Sequence, residues 1–126
     1  MSKAATAPTP DTLTKSDLTN TFPDEYEVYL HGVELTFAFE GDGSGQITHL
    51  WVDPDLRGNG WGSALIELCE SMLKDEYPDC PSHYMRIQVQ NPGGVDKFLD
   101  KQGFVISGEM EDSQFDNPLL EGYKRF

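Results

Sequence analysis

The feature that most constrains the fold is a change of hydrophobic period across a glycine-rich break. Before the break apolar residues alternate. Tyr26, Val28 and Leu30 share one face, and after a turn at His31-Gly32 so do Val33, Leu35, Phe37 and Phe39. A period of two marks half-buried strands, and a tight turn between two such runs marks a hairpin. Gly41-Asp42-Gly43-Ser44-Gly45 supplies the next turn and residues 46–52 a third strand, so an antiparallel meander is expected. Asp53-Pro54 ends it, because proline has no N–H to give to a ladder. From Gly62 to about Tyr77 the period becomes helical, with Leu65, Ile66, Leu68, Cys69, Met72 and Leu73 on one stripe and Pro78 as the stop. Beyond it the pattern predicts a strand over 84–90, a short helix over 94–101, a strand over 104–110 and a last edge strand over 122–126. The expected class is α/β in the α+β sense, a mixed and mostly antiparallel sheet flanked by helices.

A chain of 126 residues has room for one such domain. Residues 1–23 hold Pro8, Pro10 and Pro23 among Thr, Ser and Ala, with few large apolar residues before Phe22, and read as a mobile arm ahead of a single domain over 24–126. Twenty-two acidic residues against nine basic ones leave a net charge of −13, which argues against nucleic acid as a partner. Such a surface is similar to those of proteins from salt-loving organisms, where screening suppresses self-repulsion. No apolar run approaches the roughly 20 residues that span a bilayer, and the N-terminus lacks an apolar signal core, so a cytoplasmic protein without a membrane partner is expected. Cys69 and Cys80 are expected as free thiols, and no metal is expected.

The break itself carries the chemistry. Arg57-Gly58-Asn59-Gly60-Trp61-Gly62 lies between a strand and a helix N-terminus, where first-turn amides lack intrahelical partners and the helix dipole is positive. Glycines let the backbone curl and a ligand approach, and Arg57 adds a positive charge. That combination suits phosphate, although the same glycines can serve merely to join a strand to a helix. The spacing is neither that of a P-loop nor that of a dinucleotide-binding turn, and the helix follows a meander in place of a first βαβ strand.

Read with its neighbours, this stretch resembles the cofactor motif of the GNAT family of N-acetyltransferases, in which Arg or Gln is followed by x-x-Gly-x-Gly or x-x-Gly-x-Ala. Asn91 and the run from Phe98 to Gly103-Phe104 are similar to that family's second signature. The likeness spans residues 25–126, while the family's paired N-terminal helices are reduced or absent. It implies a GNAT-like fold and acetyl-CoA as cosubstrate. Backbone groups of Leu50 and Val52 would pair with the pantetheine arm, amides from Arg57 through Gly58, Asn59, Gly60, Trp61 and Gly62 to Ser63 would hold the pyrophosphate, and Asn91 would contact the arm from the other side. The sheet would splay between the strands at 46–52 and 84–90 to receive the thioester.

The implied reaction is direct attack of a primary amine, from a small molecule or a protein, on that thioester. It needs a base, a donor to the carbonyl oxygen and a proton for the thiolate. His49, on the strand beside the thioester, is the leading base, histidine being the side chain that titrates nearest neutrality. Glu40 and Gln46 are weaker candidates. Many relatives carry Tyr where this chain has Leu99, so Tyr84 and Tyr123 are the remaining proton donors. That departure leaves open a non-catalytic module that binds acyl-CoA within an assembly. The protein is expected as a monomer or homodimer.

Overall fold

The computed structural model describes residues 9–111 and 116–126. One seven-stranded sheet organises the chain: β1 (Leu18–Phe22), β2 (Glu25–Leu30), β3 (Val33–Gly41), β4 (Ser44–Val52), β5 (Tyr84–Gln90), β6 (Val105–Met110) and β7 (Leu119–Arg125), in the spatial order β1-β2-β3-β4-β5-β7-β6. β1 to β4 form an antiparallel meander, and β5, β7 and β6 form a second antiparallel set. The two sets meet at the one parallel pairing, β4 with β5. A parallel neighbour needs a long crossover, and helix α1 (Trp61–Glu76) provides it. A second helix, α2 (Val95–Lys101), joins β5 to β6.

Both helices lie on one face. α1 buries Trp61, Leu65, Ile66, Leu68, Cys69 and Leu73 against Val28, Val33, Leu35, Phe37 and Ile47 of the meander and Met85, Ile87 and Val89 of β5, and Leu99 of α2 joins the same core. Truncating a leucine such as Leu65 in that core costs about 2–5 kcal/mol. A half-buried ion pair, Lys124 Nζ with Glu70 Oε2 at 2.5 Å, ties α1 to β7. The alternate strand residues, among them Glu34, Thr36, Gln46, Arg86 and Gln88, occupy the other face, which no described helix covers. No described helix is long and apolar enough to cross a membrane.

Two expectations change. Residues 9–22 are not a loose arm: short 3-10 turns at Pro10–Thr12 and Lys15–Asp17 lead into β1, which pairs with β2 from Leu18↔Val28 to Phe22↔Glu25. β1 is an edge strand with four exposed residues of five, so backbone pairing holds it in place of an apolar face. Residues 1–8 of the expected arm lie outside the described residues. The C-terminal strand starts earlier, at Leu119, and is interior, between β5 and β6. The free edges are β1 and β6, because strand order is a long-range property that local alternation does not encode.

Candidate functional site

β4 and β5 pair only from Ser44↔Tyr84 to Ile47↔Ile87 and then part. The divergence has a local cause in β4: Thr36↔His49 is followed by Phe37↔Ile47, which leaves Thr48 as an unpaired bulge residue. A bulge bends its strand, and it lets both Ile47 and Leu50 face the helices although they are three residues apart.

The pairing pattern shows which backbone groups the gap exposes. Asp53 N–H donates to Gly32 O, so in the antiparallel β3–β4 ladder Asp53, Trp51 and His49 bond towards β3, and Leu50 and Val52 turn their N–H and C=O towards the gap. On the far side, His83 and Phe126 exchange both bonds and Asn91 N–H donates to Pro118 O, so Met85, Ile87 and Val89 bond towards β7 and Gln88 and Gln90 face the gap. The slot is therefore edged on both sides by backbone groups without a strand partner.

The slot opens into a cleft of about 440 Å³, lined by Leu50, Trp51 and Val52, by Arg57, Gly58, Gly60, Trp61, Gly62 and Ser63, and by Gln90, Pro92 to Val95 and Phe98. At its upper end stands the N-terminus of α1. Gly58 (φ 81°) and Gly60 (φ 92°) take left-handed conformations, and the first intrahelical bond is Ala64 N–H to Gly60 O. No side chain caps the helix, so among the described residues the amides of Trp61, Gly62 and Ser63 have no acceptor. Arg57 stands beside them. Its Nε donates to Val52 O at 2.7 Å and its guanidinium lies 4.9 Å over the Trp51 ring, which fixes the charge at the mouth. Among the described residues it is the only Lys, Arg, His, Asp or Glu that lines the cleft. Gly62 serves packing instead. A Cβ there would meet Phe98 Cζ at 2.6 Å, so its missing side chain lets α2 pack against α1.

Most of the residues expected to bind cofactor line this cleft, and two do not. Asn59 turns its Nδ2 back to Leu56 O at 3.1 Å. Asn91 Oδ1 accepts from Gly93 N–H and Val95 N–H, and its Nδ2 donates to Glu109, so its side chain shapes the loop and takes the first amide of α2. The expected catalytic residues are also elsewhere. His49 shares the helix-free face with Glu34, its Nε2 2.8 Å from Glu34 Oε1. Tyr84 and Tyr123 stack on each other at 5.8 Å. Tyr84 pairs with Ser44 at the closed end of the β4–β5 ladder, four residues or roughly 13 Å along the strand before Gln88, where the gap begins. Tyr123 lies opposite Arg86, on the closed side of Ile87. Glu40 is held by Arg86 through bonds of 3.1 and 2.5 Å, and this contact raises the Arg86 guanidinium above its ordinary range. Residues missed from sequence are Gln90 and the Pro92-Gly93-Gly94 turn; the Asn-Pro-Gly-Gly run after a strand was the available sign.

A family model described as the acetyltransferase (GNAT) family matches residues 21–104. Solved structures with the same fold include an acetyltransferase from Bacillus cereus (TM-score 0.57, 22% identity, 92% of this chain and 81% of that one) and Ard1 from Thermoplasma volcanium (TM-score 0.60, 20% identity, 80% and 68%). A third is the PaiA N-acetyltransferase from Thermoplasma acidophilum in complex with coenzyme A (TM-score 0.55, 16% identity, 75% and 53%). No curated protein sequence matches this chain.

Proposed function

The chain belongs to the GNAT acetyltransferase family, and from that premise we propose that it moves the acetyl group of acetyl-CoA to a primary amine by direct attack. The observation that carries the reading is the coincidence of three features in one cleft: an internal slot edged by backbone groups without a strand partner, an uncapped helix N-terminus and a fixed arginine. An extended chain carrying amides fits such a slot as an added strand would. A pyrophosphate fits the amides of Trp61, Gly62 and Ser63 with Arg57 beside them. The residues present therefore fit acetyl-CoA, with Leu50 and Val52 along the arm.

Acetyl-CoA supplies a thioester whose C–S bond is exchanged for a C–N bond. The acceptor arrives as an ammonium, gives one proton to a base and attacks as a neutral amine. The second nitrogen proton ends on the departing sulfur, giving the free thiol. The Leu50 N–H faces the gap, and in this reading it polarises the acetyl carbonyl. His49, oriented by Glu34, is the base in this reading, reached from the helix-free face.

A second reading has two observations in its favour: Leu99, at the position where the family resemblance leads one to expect a tyrosine, is fully buried and has no proton to give, and no carboxylate or imidazole among the described residues lines the cleft. On that reading the protein holds acyl-CoA without transferring it. Mixing protein, acetyl-CoA and a panel of primary amines and following free thiol decides between them. Amine-dependent thiol release supports transfer. Acetyl-CoA binding without any release supports the binding module.

A further inference from the structure

The functional reading leaves the acceptor's recognition unassigned, and on the helix-free face of the sheet one carboxylate beside the gap is available for it. Glu121 of β7 lies opposite Gln88 of β5, and Gln88 is the first residue past Ile87, where β4 and β5 part. Gln88 and Gln90 share a strand face by the two-residue period, and Gln90 lines the cleft. A line of side chains thus runs from the cleft to Glu121 across the face from which an acceptor would enter.

Among the carboxylates on the strands next to β4 and β5, its state sets it apart. Glu34 is engaged by His49 and Glu40 by Arg86, each within ion-pair distance. Glu121 is half-buried and receives only a neutral amide proton, from Gln88 Nε2 at 2.8 Å to its Oε1. None of the described ion pairs includes it. Arg86 is near enough to feel its charge, but that guanidinium is bonded to Glu40 and Gln46. Among the described residues, the other side of Glu121 is open. Across β6 stands Gly108, and a side chain built there would meet nothing nearer than Glu121 Oε2 at 4.0 Å. A half-buried anion with a neutral partner is incompletely compensated, and a cation delivered by a ligand would complete it.

Resting on the transferase reading, we propose that Glu121 is the acceptor-recognition residue: it pairs with a positive group of a cationic amine substrate, and Gln88 positions its carboxylate beside the β4–β5 gap. The class of acceptor is accordingly an amine carrying a second positive charge, which stays on Glu121 while the reacting nitrogen sits at the gap.

The test compares 1,4-diaminobutane with n-butylamine as acceptors, following thiol release at saturating acetyl-CoA. Wild-type protein should favour the diamine in kcat/KM by tenfold or more, as expected of a charge-assisted contact. Glu121→Gln should raise KM for the diamine about tenfold while leaving kcat within about threefold. Its acetyl-CoA affinity, measured by calorimetry, should be unchanged, and Glu121→Asp should fall between it and the wild type. A Glu121→Gln protein whose KM for the diamine stays within twofold of wild type overturns the assignment of Glu121 alone. Wild-type protein that binds acetyl-CoA but releases thiol with neither amine overturns the transferase reading and this assignment with it.

Discussion

Two helices point their N-termini into the same cleft, each introduced by a left-handed glycine, Gly60 at φ 92° and Gly94 at φ 84°, and they end differently. At α2, Asn91 Oδ1 takes the amides of Gly93 and Val95. At α1 no side chain does so, and the amides of Trp61, Gly62 and Ser63 stay available beside Arg57. A helix end whose first amide is taken by the chain's own side chain gains stability from it, whereas one with none of its first amides taken is open to stabilisation by a ligand. The sixteen-residue α1, anchored through its length by the core, can tolerate an uncapped end that the seven-residue α2 would tolerate less well. The contrast separates a binding end from a structural one.

The largest effect should follow from closing the open end. Gly60→Val places a branched side chain at φ 92°, at the mouth of the cleft. Strain and blockage together should weaken acetyl-CoA binding by roughly 100-fold, about 3 kcal/mol, in a calorimetric titration. Unchanged affinity would show that α1 is not the binding end. Next, Arg57→Gln should weaken acetyl-CoA by about tenfold at low salt, and the deficit should shrink as ionic strength rises. Asn91→Ala reverses the emphasis. Losing the cap should lower stability by about 1 kcal/mol in denaturant unfolding, with acetyl-CoA affinity within about threefold of wild type. A large loss of affinity there would erase the distinction between the two ends.

How far this contrast could be read in advance follows from the range of each interaction. The meander, α1 and the loop at Arg57 to Gly62 were legible because period and glycine spacing are local. The roles within the loop were less so: Gly60 and Gly62 look alike in sequence, yet one supplies a left-handed turn and the other makes room for Phe98, 36 positions away. Asn91 was marked by its place in a motif, but whether its amide meets a ligand or its own helix depends on the turn that follows. β1 escaped notice because an edge strand needs no apolar face. Tyr84 and Tyr123 have suitable chemistry and lie on the closed side of Ile87, which only the register of β5 with β4 and β7 reveals.

The acidic surface offers a smaller test, independent of the cleft. If the net charge of −13 opposes folding by self-repulsion, the thermal midpoint should rise between low and molar KCl, and a flat response would remove any role for salt.

The central claim is that the open end of α1 holds the pyrophosphate of acetyl-CoA. Its most direct measurement is a pair of calorimetric titrations, one with acetyl-CoA and one with acetyl-pantetheine, which keeps the thioester arm and lacks the pyrophosphate. The account predicts that acetyl-CoA binds at least about 100-fold more tightly, as expected for several charge-assisted bonds to phosphate. Equal affinities for the two ligands would contradict it.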